Sequence, residues 1–572
     1  MNDWRWKWRF YASAFLLGLV LAGLSVRLVF LHALTPESVV RGIDESRRMH
    51  KQLLAGRGAI CDRMGSGNLL ALNVPMKDVC ANPALIVRSN LLVDVSATLS
   101  ELLDVPVDEV AQRLNRPDRE FAYIRRGVME DDAARVLERR IPGVFFRENM
   151  VRHYPHRNFM CHILGFVNHD GIGSAGIEQA ADAYLRGSPG YLESQVDALR
   201  REMYGRRAQY VAPLEGAHVV LTVDQQIQYQ AERALDAAMI EHRAKGACVI
   251  VQRIRTGEIL AMASRPAFDL NTFNQASESE RTNRAIGMNY EPGSTFKGVA
   301  FSAAFNEQTV RPEMVVDCED GAWSYGGKVL RDYHAYDRLT VADGLKKSSN
   351  ILTAKTALTL GNQRFYRYLK AFHIGEPLGF DLPGEEGGIL APVSKWSKIS
   401  STRIAMGQGV AVTPLQMLAV YCAIANDGFL MRPYIISHVV SPDGTVLKRT
   451  QPEVLGRPIR SETAALMCRL LARVTEPGGT GTRACVEGYE VAGKTGSAQK
   501  PVAGGYSSTA HVASFAGFVP AGAPEIGIIV VIDEPQPLHT GGVVAAPLFS
   551  RIAGYAVRYL DVAPGRNLLA SR

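Results

Sequence analysis

Residues 10–31 read FYASAFLLGLVLAGLSVRLVFL, with Arg27 as their only charge. A helix of about 20 apolar residues spans the hydrocarbon core of a bilayer, because a helix satisfies its own backbone hydrogen bonds where no water is present. No other feature constrains the chain as strongly. Arg27 lies near one end, where its stem can run along lipid while the guanidinium reaches the interface. Ahead of the run come Arg5, Lys7 and Arg9, interleaved with Trp4, Trp6 and Trp8. Positive charge marks the cytoplasmic flank, and tryptophan suits the headgroup layer. The expectation is a cytoplasmic tail over residues 1–9, a transmembrane helix over 10–31 and the remainder of the chain outside. A cleaved signal peptide starts similarly, but its apolar core is only about 7–15 residues and a small-x-small site follows closely. Neither holds here, and no second run of this length occurs, so one crossing is expected.

The rest of the chain is ordinary globular sequence: 572 residues, 47% hydrophobic and 21% charged. Its formal net charge of +7 is too mild for the dense basic stripe of a nucleic-acid binder. Eight cysteines contain no CxxC pair, so neither a zinc site nor a dithiol redox site is expected, and no metal or cofactor is called for. Most read as buried thiols, with Cys61–Cys80 and Cys468–Cys485 left open as pairs in an exported domain. Residues 32–55 are polar and helix-permissive and read as a stalk. Residues 56–215 mix short strands with charged helical stretches such as EDDAARVLERR (130–140), and Pro213 and Gly216 punctuate their end. From 216 the pattern is strand (HVVLTVD), polar helix (225–242), strand (ACVIVQRI) and strand (TGEILAMAS), then helix-rich sequence, with strands returning near the C-terminus. The fold class implied is α+β.

The chemistry centres on NYEPGSTFKGVAFSAAFNE. Pro292-Gly293 is a turn and AFSAAF is helix-forming, so Ser294 falls at a helix start. Lys297, three residues on, shares its helical face. A serine needs a neighbouring base to attack at neutral pH, and a desolvated lysine serves once its pKa falls from about 10.4 towards 7–8. Ser-x-x-Lys alone is a poor signal, since Ser497 and Lys500 repeat it. Two further elements change its weight. Ser348-Ser349-Asn350 follows a helical segment, and Lys494-Thr495-Gly496-Ser497 lies in the strand-like VAGKTGSAQK. S-x-x-K, S-x-N and K-T-G in that order are the signature of serine acyltransferases of the β-lactamase and penicillin-binding superfamily.

The chain resembles a class B penicillin-binding protein over nearly its whole length. Besides the trio, Arg57-Gly58-Ala59-Ile60-Cys61-Asp62-Arg63 with Gly65, Arg152-His153-Tyr154-Pro155 and Gly176-Ile177-Glu178 resemble motifs of that family's non-catalytic pedestal. Read without the family, they are turns and structural ion pairs. The resemblance implies a pedestal over 56–215 and, over 216–572, a β-lactamase-like transpeptidase domain with an antiparallel sheet flanked by helices. It also implies roles. Ser294 attacks the donor D-Ala-D-Ala carbonyl, with Lys297 as base. Ser348 relays a proton to the leaving amine and Asn350 orients Lys297 and the substrate. Lys494 lowers the pKa of Lys297 and attracts the donor carboxylate, which Thr495 and Ser497 bind beside Gly496. The backbone N–H groups of Ser294 and Ser497 form the oxyanion hole. Ser497 stands where the family usually has threonine, and the hydroxyl is kept.

An anchor, a stalk and a pedestal argue for an amine acceptor on a neighbouring stem peptide over the hydrolytic water of a soluble β-lactamase. The lead-in NYEPGS (289–294), with ASFAGFVP (513–520), DEP (533–535) and GGVVAAP (541–547), resembles division-specific members, so a septal role is favoured. An elongation-specific transpeptidase and a divisome scaffold with secondary catalysis remain the alternatives. By resemblance the expected partners are peptidoglycan stem peptides, β-lactams, a membrane glycosyltransferase of the SEDS type and other divisome proteins.

Overall fold

The computed structural model describes residues 3–33, 47–197 and 202–564. The chain divides into two compact units, one of Met1–Ala55 with Ser188–Leu214, the other of Gly56–Gly187 with Glu215–Arg572. In the first unit, helix α1 (Asp3–Ala33) carries the apolar span Trp6–His32, whose most apolar 18 residues have a mean hydropathy of 2.3. That is long and apolar enough to cross a membrane. The helix already includes residues 3–9, expected as a tail, because no breaker separates them from the apolar run. Part of the expected stalk, 34–46, lies outside the described residues. Its end departs from the helix-permissive reading: Arg48–Leu53 is a strand, paired antiparallel with Gly190–Gln195, which pairs in turn with Gln209–Val211. A backbone partner remote in sequence has overridden local preference there.

In the second unit, the long strand Leu69–Ala81 pairs with Ala122–Val128 and Val144–His153. Helices Leu92–Leu103, Val107–Leu114 and Glu130–Glu138 close over one face, around a core that includes Val79, Leu99, Val110, Ile124 and Val136. The three pedestal motifs meet in one buried ion cluster. Glu178, wholly buried, takes Arg57 Nε on one carboxylate oxygen and Arg152 Nε on the other, both at 2.6 Å. Arg57 also reaches Asp182 at 2.6 Å, and Arg152 donates to the Gly58 carbonyl at 2.8 Å. Removing one member strands buried charge, at a cost of about 3–5 kcal/mol. Glu178→Ala is therefore expected to lower the unfolding free energy measured by denaturant titration by that amount, and a loss below ~1 kcal/mol would mean the cluster is not held as a unit.

Strand β1 (His218–Leu221) leads into α2 (Gln225–Glu241), whose first turn is capped by Asp224. β2 (Gly246–Arg253) and β3 (Ile259–Arg265) follow. The expected strand–helix–strand–strand order is found, and β1 lies outside the sheet of β2 and β3. It pairs parallel with Ile60–Cys61 and antiparallel with Ile436–Val440. Helix α3 (Lys297–Asn306), the hairpin β4 (Ala322–Tyr325) and β5 (Lys328–Arg331), and helices α4 (Asn350–Leu360) and α5 (Pro414–Ala425) come next. The chain then forms β6 (Ala492–Val502), β7 (Gly505–Val519), β8 (Ile526–Asp533) and α6 (Gly541–Tyr559). The central sheet runs β3-β2-β8-β7-β6, antiparallel throughout. Alternate residues feed two cores. Val249, Val251, Ile528 and Phe515 share one with α2 and α6, and Cys248, Ile250, Ile529 and Phe518 share the other with α3 and α5. Both faces are covered, which is why these strands read as nearly continuous apolar runs.

All eight cysteines are free thiols, so neither pairing left open is formed. Burial pushes the Cys61 and Cys80 thiols up to about 11.

Candidate active site

Helix α3 is buried on every side from Lys297 to Phe305, so the lysine at its first position is carried into the core with no exposed surface. The preceding turn, Gly293–Phe296, is a 3-10 helix. At three residues per turn, Ser294 and Lys297 eclipse one another. Gly293 adopts a φ of +56°, which glycine enters without strain, and its N–H donates to the Gly407 carbonyl at 3.2 Å. Thr295 Oγ1 donates to the Pro292 carbonyl (2.8 Å), and the Tyr421 hydroxyl from α5 donates to the Thr295 carbonyl (2.7 Å). This framing holds Ser294 half-buried at the rim, with no hydrogen-bond partner for its hydroxyl among the described residues.

The Lys297 ammonium donates to the Ser348 carbonyl (2.7 Å), the Ser348 hydroxyl (3.1 Å) and Asn350 Oδ1 (2.8 Å). S-x-x-K and S-x-N are thus joined directly through the lysine. Ser348 itself sits at φ +61°, an uncommon conformation for a residue with a side chain. Asp332, which the sequence reading missed, braces this loop. One of its oxygens accepts from the Asn350 and Ile351 N–H groups, the latter at 3.0 Å, and the other from Ser349 Oγ at 2.6 Å. A carboxylate there caps the N-terminus of α4 from outside the helix. No local spacing announces it, because it arrives from the loop after β5. Asn350 Nδ2 in turn donates to the Arg331 carbonyl at 3.0 Å.

The third wall is β6, an edge strand. On β6, Gly496 faces the nucleophile turn, and the buried Lys494 ammonium donates to the Thr495 carbonyl (3.3 Å) and the Thr495 hydroxyl (3.4 Å). A Cβ at Gly496 would meet the Pro292 carbonyl at 2.9 Å and the Thr295 methyl at 3.0 Å. Only glycine lets the strand lie this close to the nucleophile turn. Thr495 Oγ1 donates to Thr480 Oγ1 at 2.8 Å, and the exposed Ser497 hydroxyl accepts from the Gly541 N–H at the start of α6 at 2.9 Å. Thr480 and Gly541 were also absent from the sequence reading. The second Ser-x-x-Lys separates cleanly. Ser497 and Lys500 lie on a strand and so do not share a helical face as Ser294 and Lys297 do. Lys500 pairs with Asp533 (2.9 Å) and Glu534 (2.7 Å). Burial opposes its charge, but hydrogen bonds to those carboxylates win and raise its pKa.

Lys297 is pushed down to about 7 by burial, against the opposing pull of Asp332. Lys494, equally buried, is pushed well below its ordinary range, first by burial and then by the Lys297 charge. Burial is the main cause for both lysines, and the repulsion between the two ammonium groups acts on each in the same direction. The site combines a hydroxyl at the rim, an amine poised near neutrality and a glycine-flattened strand edge, the parts an acyl transfer requires.

Residues 247–554 match the family model of the penicillin-binding protein transpeptidase domain, and residues 52–221 that of the penicillin-binding protein dimerisation domain. The chain belongs to the class B penicillin-binding proteins. This penicillin-binding protein is 32% identical to a probable peptidoglycan D,D-transpeptidase, PenA, of Neisseria meningitidis, over 97% of this chain and 93% of that one. It is 31% identical to the peptidoglycan D,D-transpeptidase FtsI of Escherichia coli, over 98% and 93% respectively. Among solved structures it is similar to penicillin-binding protein 3 of Mycobacterium tuberculosis complexed with aztreonam. The TM-score is 0.70 at 27% identity, covering 91% of this chain and 99% of that one.

Proposed function

We propose that this class B penicillin-binding protein is a membrane-anchored peptidoglycan D,D-transpeptidase of the dividing septum. Ser294 attacks the carbonyl between the terminal D-alanines of a donor stem peptide, releases D-alanine and holds the acyl group until an amine of a neighbouring stem peptide displaces it. Lys297 takes the Ser294 proton, and Ser348 relays one to the leaving amine while Asn350 orients Lys297 and the substrate amide. The hydroxyls of Thr495 and Ser497, with Gly496 between them and Lys494 behind, receive the donor carboxylate. The N–H groups of Ser294 and Ser497 form the oxyanion hole, of a kind worth about 3–4 kcal/mol per donor. β-Lactams acylate Ser294 and stay. Residues 1–9 face the cytoplasm, 32–55 form the stalk, 56–215 the pedestal and 216–572 the catalytic domain outside the membrane. A SEDS-type glycosyltransferase and other divisome proteins are its partners.

The observation that supports this reading best is the buried Lys297 amine, lowered to about 7 and hydrogen-bonded to both Ser348 and Asn350 beside Ser294. The septal part leans on similarity to FtsI. Incubation with a stem pentapeptide and an amine-bearing acceptor is expected to release D-alanine and give cross-linked dimers. Release of D-alanine with hydrolysed tetrapeptide alone would instead make the enzyme a carboxypeptidase. Depletion in the source organism is expected to give filaments, whereas rounded cells would assign it to elongation.

A further inference from the structure

The loop that begins at Asp332 carries more than a cap. Tyr333, the next residue, is 88% exposed, an unusual position for a ring of that size. His334 packs edge-on against it at 4.9 Å, and Tyr336 carries the Lys347 ammonium 5.3 Å from its ring centre. The β4–β5 hairpin continues the pattern. Trp323 and Tyr325 stack at 4.8 Å, with Lys355 over the first ring (5.3 Å) and Lys398 over the second (5.6 Å). Lys355 is neutralised by Glu319 at 2.7 Å, but Lys347 and Lys398 have no carboxylate partner among the described residues.

This surface is fastened to the catalytic parts at both ends. At one end the Arg331 carbonyl holds Asn350, Asp332 holds Ser349, and Lys347 directly precedes Ser348. At the other, the hairpin tip at Gly326 abuts Ile399. The short helix Ser400–Ala405 runs from there to Gly407, whose backbone contacts Gly293 beside the nucleophile. The wall therefore borders the S-x-N side of the cleft, across from β6, where the donor carboxylate is assigned. Half-exposed rings interleaved with uncompensated lysines suit a ligand with saturated rings and carboxylates. Aromatic faces attract the polarised C–H groups of sugars, and a lysine over a ring keeps N–H donors for an anion.

We propose that this basic–aromatic wall binds the acceptor strand, a peptidoglycan glycopeptide. Its sugar rings lie on Tyr333 and the Trp323–Tyr325 pair, and its peptide carboxylates lie near Lys347 and Lys398. The proposal rests on the transpeptidase reading and adds where the second substrate sits. In the step it serves, the acceptor amine nitrogen bonds to the acyl carbonyl carbon, the ester bond to Ser294 Oγ breaks, and the amine's proton ends on that oxygen.

The two half-reactions allow a clean test on the full-length protein. Acyl-enzyme is formed from a thioester analogue of the donor, then presented with either a disaccharide-tetrapeptide acceptor or hydroxylamine, a nucleophile too small to touch the wall. Tyr333→Ala combined with Lys398→Gln is expected to lower the ratio of glycopeptide transfer to hydroxylamine transfer about tenfold, the loss of one to two modest aromatic and charge contacts. An unchanged ratio would overturn the assignment, whether both rates hold or both fall together. If wild-type protein forms the acyl-enzyme but transfers nothing to the glycopeptide, the transpeptidase reading itself falls, which is a separate outcome. The rate of penicillin acylation in the same samples reports that the donor side is folded.

Discussion

Ser294→Ala is expected to abolish covalent labelling by a fluorescent penicillin, a loss on the order of 10⁶-fold in acylation, as when other serine acyl-enzymes lose their nucleophile. The fold should not notice. The side chain is half-buried and its hydroxyl has no hydrogen-bond partner among the described residues, so stability should change by no more than about 0.5 kcal/mol. Ser497→Ala is the informative control, since it removes the serine of the other Ser-x-x-Lys. Lys500 is pinned by two carboxylates with a raised pKa, so it cannot serve that serine as base. Labelling should survive in Ser497→Ala, weakened by the lost carboxylate contact. Undiminished labelling of Ser294→Ala would remove the nucleophile assignment altogether.

Lys297 gives the second large effect. With its pKa at about 7, the fraction able to accept the Ser294 proton grows as pH rises through 7. Acylation should climb about tenfold per unit below that point and level off above it. Lys297→Met should erase this limb and slow acylation by ~10²–10⁴-fold, while a wild-type profile that is flat between pH 6 and 8 would exclude Lys297 as the base. The same shift bears on stability. In the unfolded chain the amine binds its proton up to an ordinary value near 10.5, whereas in the native state it releases it near 7. Between those values the unfolded state holds the extra proton, so this group's contribution to stability rises by about 1.4 kcal/mol per pH unit. Below 7 both states are protonated and the burial penalty is present in full. The stability–pH curve of the wild type should therefore climb relative to Lys297→Met from pH 7 to 9.

Much of the site was legible because its signals are local. Ser294 and Lys297 lie within one turn, and the strand reading of residues 494–497 required only neighbouring sequence. The order of the three motifs then outweighed the chance copy at Ser497 and Lys500. Local reading failed where a residue's partner lies elsewhere. Asp332 caps a helix it does not belong to. Arg48–Leu53 reads as helix-permissive yet pairs with a strand more than a hundred residues away. His218–Leu221 reads as a strand, but nothing local says that it joins Ile60–Cys61 and Ile436–Val440. The pedestal motifs lie between these cases. Arg57, Arg152 and Glu178 could be picked out singly, but nothing in their spacing puts two guanidinium groups on one buried carboxylate.

By itself the sequence determined the N-terminal apolar helix, the α+β character and the ordered S-x-x-K, S-x-N and K-T-G trio, because a membrane span, a strand's two-residue alternation and a helical turn are properties of contiguous residues. Tertiary structure alone decided that Lys297 is fully buried and titrates near 7, that Gly496 is pressed against the nucleophile turn, and that rings and lysines line the S-x-N side of the cleft. Burial, close approach and charge pairing depend on which distant segments meet, and only the folded chain brings them together.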